Sequence, residues 1–355
     1  MFYFCTLNES VMSELLFITL FIAFVVFLLV LDLGVFHKKD HIISFKEAAV
    51  WTAVWIGVAL LFWVFLFLKA DVIHGPETIE KLQELNVRHD HNLNFDGVDF
   101  DDGVKMYRKA MAIEYITGYL IEKSLSIDNI FVMIMIFMAF GVDKIYYHRV
   151  LFYGILGAIV MRFIFIFTAS ALIQQFSWIL VLFGVVLLYS AVKMFLQRNK
   201  RETIDVENHV AVRFLAKHNL STPQFHGHDF FTKVDGRWLC TPLFIVLIII
   251  EFSDIIFAFD SIPAIFSVTQ DPYIVFSSNI FAILGLRSLF FMLESVMDKF
   301  YYLKLGLSVL LAFIGMKMLL PFFFDVHIGT SLSLLVILSI LAISILASVF
   351  FPKKH

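Results

Sequence analysis

Residues 248–263, IIIEFSDIIFAFDSIP, limit what this chain can fold into more than any other stretch. They lie inside an apolar run, 242–268, that is long enough to cross a bilayer. Yet the stretch carries Glu251, Asp254 and Asp260. A charge at the bilayer centre costs about 2.5–3.5 kcal/mol even on the lenient insertion scale. Several such costs on one span point to carboxylates kept for use rather than for solubility. Pro263 lacks a backbone donor and crowds the turn before it, so a kink or an opening is expected there. Carbonyls freed beside carboxylates would suit a cation.

The rest of the chain is of the same kind. Hydrophobic residues make up 60% of its 355 positions, 43 residues are Phe, and the mean hydropathy is +0.88. A soluble domain cannot cover that much apolar surface. The chain therefore reads as an all-α polytopic membrane protein, one membrane domain over 1–355 with the lipid bilayer as its first partner. Basic residues are not interleaved with aromatics in any patch, which argues against nucleic acid. Cys5 and Cys240 make neither a disulfide framework nor a metal knuckle. The first apolar run is long and lacks the basic flank of a cleavable signal, so it reads as a retained span.

About nine spans are expected, near 14–36, 48–69, 112–140, 149–171, 176–196, 242–267, 273–294, 301–321 and 331–351. Lys and Arg collect in alternate connections: Lys38, Lys39 and Lys46, then Lys144 and Arg149, then 197–241, then Lys299 and Lys304, and last Lys353 and Lys354. The short connections of the other side have none. The positive-inside rule then places the N-terminus outside and the C-terminus in the cytoplasm. The connection 70–111 becomes an acidic extracytoplasmic loop, with Asp71, Glu77, Glu80, Glu84, Asp90, Asp96, Asp99, Asp101 and Asp102, and reads as solvated. The connection 197–241 becomes a cytoplasmic loop. Its Asp235-Gly236 between apolar flanks signals a short hairpin, and His226 and His228 read as surface residues.

The spans repeat. Residues 185–196, VVLLYSAVKMFL, match 309–320, VLLAFIGMKMLL, at five of twelve positions. Ile155-Leu156-Gly157 resembles Ile283-Leu284-Gly285, each with an Arg soon after, Arg162 and Arg287. Around the acids two registers compete. One pairs residues 121–124 with 250–253; the other pairs Asp128-Asn129-Ile130 with Asp260-Ser261-Ile262 and Glu122 with Asp254. Either way spans three to five match spans six to eight in opposite orientation. Such an inverted repeat of three-helix units is a recurrent transporter plan.

Span three carries Glu114, Glu122, Lys123, Ser124, Ser126, Asp128 and Asn129. If spans three and six pack antiparallel, Glu122, Asp128, Glu251, Asp254 and Asp260 converge near the midplane, with Asn129 and Ser261 supplying neutral oxygens. Unpaired carboxylates there would repel and stay protonated. A divalent cation would neutralise two of them, and an all-oxygen shell favours Mn²⁺, Mg²⁺ or Ca²⁺ over Zn²⁺ or Cu⁺. The same acids would take protons when the metal leaves, giving proton–metal exchange. The alternative is structural ion pairing with Lys123, Arg162 and Arg287. Glu114, Lys193 and Lys317 stand near span ends and read as snorkelling. Asp32 reads equally as a gate or as interfacial.

Taken together, these residues resemble the TerC/Alx family of integral membrane proteins. The resemblance is carried by Glu122 with Ser124-Leu125-Ser126-Ile127-Asp128-Asn129 and by Thr241-Pro242-Leu243. It continues through Glu251 to Ala264, EFSDIIFAFDSIPA, and through 278–289, SNIFAILGLRSL. It implies a bacterial inner-membrane protein whose relatives are associated with manganese efflux. Other relatives are named for tellurium resistance or linked to metal supply of exported enzymes. A more distant similarity is to the LysE-type exporter group. Family roles would fall on Glu122, Asp128, Glu251, Asp254 and Asp260.

The first expectation is therefore a divalent-metal exporter, with manganese as cargo and no resident cofactor. The second, from another class, is a non-transporting accessory protein in tellurite or envelope stress resistance, with 197–241 docking a cytoplasmic or envelope protein partner. An enzyme is not expected, because the spans offer no nucleophile–base pair and no zinc motif.

Overall fold

The computed structural model describes residues 2–36, 43–197, 221–222, 224–234, 236–295, 302–324 and 326–350; side chains of 2–13, 33–36 and 303 lie outside the description. Most of 197–241, including Asp235, therefore lies outside the described residues.

The described chain is helical apart from one hairpin. In order come α1 (Phe2–Phe36), α2 (Phe45–Lys69), α3 (Asp71–His74), α4 (Ile79–His89), α5 (Phe100–Ala139), α6 (Lys144–Gln175) and α7 (Trp178–Gln197). After them follow β1 (Phe231–Val234), β2 (Arg237–Cys240), α8 (Pro242–Phe266), α9 (Pro272–Leu284), α10 (Leu286–Glu294), α11 (Leu303–Phe324) and α12 (Thr330–Phe350). Local chemistry marks the starts. Ser44, Thr78, Asp99 and Asp271 each cap a helix, their side chains accepting from a backbone N–H of the first turn. Pro242 and Pro272 occupy first positions, where no donor is needed.

Among the described residues seven helices are long and apolar enough to cross a membrane, and α9 with α10, bent by 43°, makes an eighth if the pair is one span. The chain is thus an all-α polytopic membrane protein. The remaining expected span, the third, 112–140, forms the second part of α5, a 40-residue helix about 60 Å long. Glu122, Lys123 and Asp128 keep this segment from reading as a plain apolar span.

Two local expectations are corrected. α8 runs through Pro263 to Phe266, with Ser267 N–H donating to the Pro263 carbonyl at 3.1 Å. Pro263 lies in the last turn, and its missing donor costs α8 the backbone bond to the Phe259 carbonyl without ending the helix. The interruption falls instead at Gly285, between α9 and α10. A Cβ there would stand 3.0 Å from both Lys123 Nζ and Trp55 Cβ, a tight contact that glycine avoids.

The second correction concerns 70–111. Its acids Glu77, Glu80, Glu84 and Asp99 are exposed, as expected of a solvated loop. But α3 and α4 fold onto the bundle, burying Leu82 and Leu85 together with His74, His89 and His91. Leu82 and Leu85 are three apart on one face of α4, which is why that face docks.

The core between α1, α2, α5 and α9 is aromatic: Phe62 stacks near Phe281 (4.8 Å between centroids) and Tyr115 (5.2 Å). α7 and α11 cross at Gly184 and Gly315, whose backbones approach so closely that a Cβ on either would meet the other's carbonyl oxygen at 3.0–3.2 Å. The hairpin pairs Phe231 with Cys240 and Val234 with Arg237, and Phe231 and Phe230 pack on Phe244 at the start of α8.

Candidate functional site

Arg162 of α6 is a deeply buried charge, 1% exposed. Its Nη1 donates to Glu122 Oε1 of α5 and, at 2.9 Å, to Asn279 Oδ1 of α9. Its Nη2 and Nε donate to Asp254 of α8, at 3.2 and 3.5 Å. Asn279 closes the ring by donating to Glu122 Oε2 at 3.1 Å. Four helices thus meet at one guanidinium shared by two buried carboxylates. The fork of an Arg matches two carboxylates as a lysine point charge does not.

The neighbouring residues extend this centre. Lys123 donates to the Ala282 carbonyl of α9 at 3.2 Å, close to the break at Gly285. Glu251, one turn before Asp254, is half-buried and lies on Gly157 of α6, where a Cβ would meet its Oε1 at 2.1 Å. Glu122, Asp254 and Glu251 outnumber Arg162 and Lys123, so the centre holds one formal negative charge in excess.

Other expected site residues stand apart from it. Asp260 is six residues from Asp254, about 240° round the helix, and accepts from Ser190 of α7 at 2.6 Å. Asp128 bears the same six-residue relation to Glu122 on α5 and is half-buried. Asn129 and Ser261 are buried, and Ser261 Oγ has no hydrogen-bond partner among the described residues. Arg287 does not join Arg162 but binds Asp32 of α1, Nη2 to Oδ2 at 2.5 Å, which makes Asp32 a buried pair rather than an interfacial residue. Among the described residues, no three His, Cys, Asp or Glu side chains are set to hold a metal ion.

A second polar cluster was not anticipated as a unit. His74 bridges Glu14 of α1 (Nδ1, 2.9 Å) and Asp271 at the head of α9 (Nε2, 3.0 Å). His91 binds Glu114 at 2.9 Å, so Glu114 is buried and paired instead of snorkelling. Burial alone would lower the pKa of His74, but the Asp271 carboxylate and the bonds to Asp271 and Glu14 outweigh it and raise it to about 9. Burial likewise works against the Asp271 carboxylate, yet the charge of His74 leaves its pKa below the ordinary range. Burial lowers His89 to about 4. The sequence signal was three histidines within eighteen residues of an otherwise acidic loop.

This arrangement of buried, helix-bridging charges in a multi-spanning bundle defines an integral membrane protein with a polar centre inside its core. Residues 107–355 match the model of the Integral membrane protein TerC family, and the chain belongs to that family. It is 39% identical over 341 residues to the putative membrane-bound redox modulator Alx of Escherichia coli (strain K12), covering 94% of each chain. Photorhabdus laumondii has a protein of the same description, 43% identical over 94% of each chain. A membrane protein of Myxococcus xanthus is 46% identical over 94% of this chain and 92% of its own. No solved structure matches the chain.

Proposed function

We propose that this protein exports a divalent metal cation, Mn²⁺ above all, across the bacterial inner membrane in exchange for protons. The observation that carries the reading is the sharing of Arg162 between Glu122 and Asp254. These two acids come from the first helices of the two proposed repeat units, α5 and α8. Helices that the repeat makes equivalent touch one another: α5 packs on α8, α6 on α9, and α7 on α11. A pseudo-twofold axis between antiparallel units would give that pattern, and it favours the register pairing Glu122 with Asp254. With α5 as a span, and α9 and α10 as one broken span, the count is nine.

In the conformation described, Arg162 occupies the acids. Withdrawal of its guanidinium, with Glu251 one turn away, would expose three carboxylates and the Asn279 carbonyl oxygen to a hard cation. Asp128 and Asp260, equivalent in the same register, would line the route with Asn129 and Ser261. The positive-inside asymmetry places α3 and α4 outside and the hairpin in the cytoplasm. Expression in a manganese-sensitive host tests the reading: cell-associated manganese falls with the wild-type chain. Unchanged metal content at good membrane expression counts against export.

The hairpin favours a second reading. Trp238 is 69% exposed and Phe231 48%, beside Lys233 and Arg237. A non-transporting accessory protein would use this surface. Deleting 221–241 would then abolish resistance while Asp254→Asn spares it.

A further inference from the structure

Beyond the carboxylate centre, several buried polar atoms without partners among the described residues stand together at the end of the bundle that carries α3 and α4. His89 has neither ring nitrogen hydrogen-bonded within the described residues, although the residue is only 2% exposed. His91 Nε2 and Tyr107 Oη share that condition. Buried polar groups without partners are costly and ask for an occupant. His89 also lines an open cavity of about 180 Å³, with Glu14, Arg88, Gln174 and Tyr273 in the same wall. Three imidazoles stand in file: His74 to His89 at 5.0 Å between centroids, His89 to His91 at 5.8 Å.

We propose that His89 is a proton-loading site, taking protons from water in this cavity and passing them through His91 to Glu114 on α5. The chemistry distinguishes His89 from its neighbours. A relaying imidazole must accept on one nitrogen while it donates from the other. His74 has both nitrogens bound to carboxylates and holds its proton. His91 has Nδ1 committed to Glu114 and Nε2 open, which makes it a receiver. His89 has both nitrogens uncommitted.

The step balances. A hydronium in the cavity loses one proton to one ring nitrogen of His89, and its bonding pair stays on the water oxygen. The opposite nitrogen releases a proton toward His91 Nε2, the two rings standing 5.8 Å apart between centroids. His91 then gives its Nδ1 proton to the Glu114 carboxylate. The other groups around His89 set the balance: Glu14 and Tyr273, Asp271 and His74, Arg88 and Asp90 on its own segment, and Tyr107. Burial keeps His89 neutral at ordinary pH, so it passes a proton on instead of storing it. Glu114 lies eight residues before Glu122 on α5, about 12 Å along the helix.

The proposal deepens the exchange reading, and only its flux arm rests on that reading. The first arm uses the intact protein in nanodiscs with ¹⁵N-labelled histidine, the His89 signal being assigned by its loss in His89→Gln. Between pH 6 and 8, His89 should show tautomer-averaged nitrogen signals and rapid exchange with water, while His74 stays doubly protonated. A single fixed His89 tautomer whose N–H is protected from exchange overturns the relay. The second arm measures proton flux into proteoliposomes driven by a Mn²⁺ gradient. His89→Gln should slow it at least about tenfold, with Mn²⁺-induced thermal stabilisation unchanged. Flux equal to wild type overturns the relay. Absence of any Mn²⁺-linked flux in the wild type overturns the exporter reading, and the nitrogen signals still decide whether His89 handles protons.

Discussion

Arg162 grips Asp254 through two guanidinium nitrogens, Nη2 to Oδ1 at 3.2 Å and Nε to Oδ2 at 3.5 Å, and so ties α6 to α8 inside the bundle. The same guanidinium binds Glu122, so one cation neutralises acids on two other helices. Removing it leaves both carboxylates buried without a counter-ion. Arg162→Gln should therefore destabilise the protein by about 3–5 kcal/mol. Thermal melting in detergent measures this, and Mn²⁺ should restore part of the loss by binding the freed acids. A variant that melts like wild type contradicts the arrangement.

Gly157 offers a gentler probe of the same centre. A methyl group there would collide with the Glu251 carboxyl, the far end of a flexible side chain, so the carboxyl moves and the helices stay. Gly157→Ala should change stability by less than about 1 kcal/mol yet reduce metal flux markedly. Equal flux would remove Glu251 from the transport route.

The crossing of α7 and α11 should be intolerant. At Gly315 a Cβ meets backbone atoms, the Gly184 carbonyl at 3.0 Å and the Leu188 nitrogen at 3.1 Å, and these cannot step aside singly. Gly315→Val should cost about 1–3 kcal/mol by overpacking and lower the yield of folded protein, read by fluorescence-detected size exclusion.

His74 gives a pH dependence whose sign follows from its surroundings. Its pKa is raised in the folded protein, from the ordinary 6.5 to about 9. The tie it makes between α1 and α9 is therefore fully present below pH 6.5 and is lost as pH rises through 9. The depressed Asp271 acts oppositely: its contribution is present above the ordinary carboxylate range and falls away in acid. Wild type should lose melting temperature between about pH 7 and 9, and His74→Gln should lose less over the same interval. Parallel curves for the two proteins would show that His74 is not charged in its bridge.

The membrane class and the acidic centre were legible because apolar runs and intramembrane charges are properties of residue types in order. Glu122, Asp254 and Arg162 could be named from their unusual positions in such runs. Their geometry could not. Six-residue spacing sends Asp260 and Asp128 to other helix faces than Asp254 and Glu122, so convergence of all five acids did not follow from proximity in sequence. Asn279 gives no signal in the sequence, because a neutral amide within a span costs less than a charge. The break at Gly285 was missed for the more conspicuous Pro263, since a glycine's role depends on which side chains, here Lys123 and Trp55, arrive from other helices. The histidine cluster was hidden for the same reason: its partners Glu14, Glu114 and Asp271 lie on three separate segments.

Metal uptake into proteoliposomes made from the full chain tests the exporter reading most directly. With a pH gradient imposed, wild type should accumulate Mn²⁺ in preference to Mg²⁺, Ca²⁺ and Zn²⁺. Glu122→Gln and Asp254→Asn should each abolish that uptake while remaining folded in the membrane. Wild-type vesicles no more permeable to Mn²⁺ than protein-free ones would contradict it, as would undiminished uptake by either folded variant.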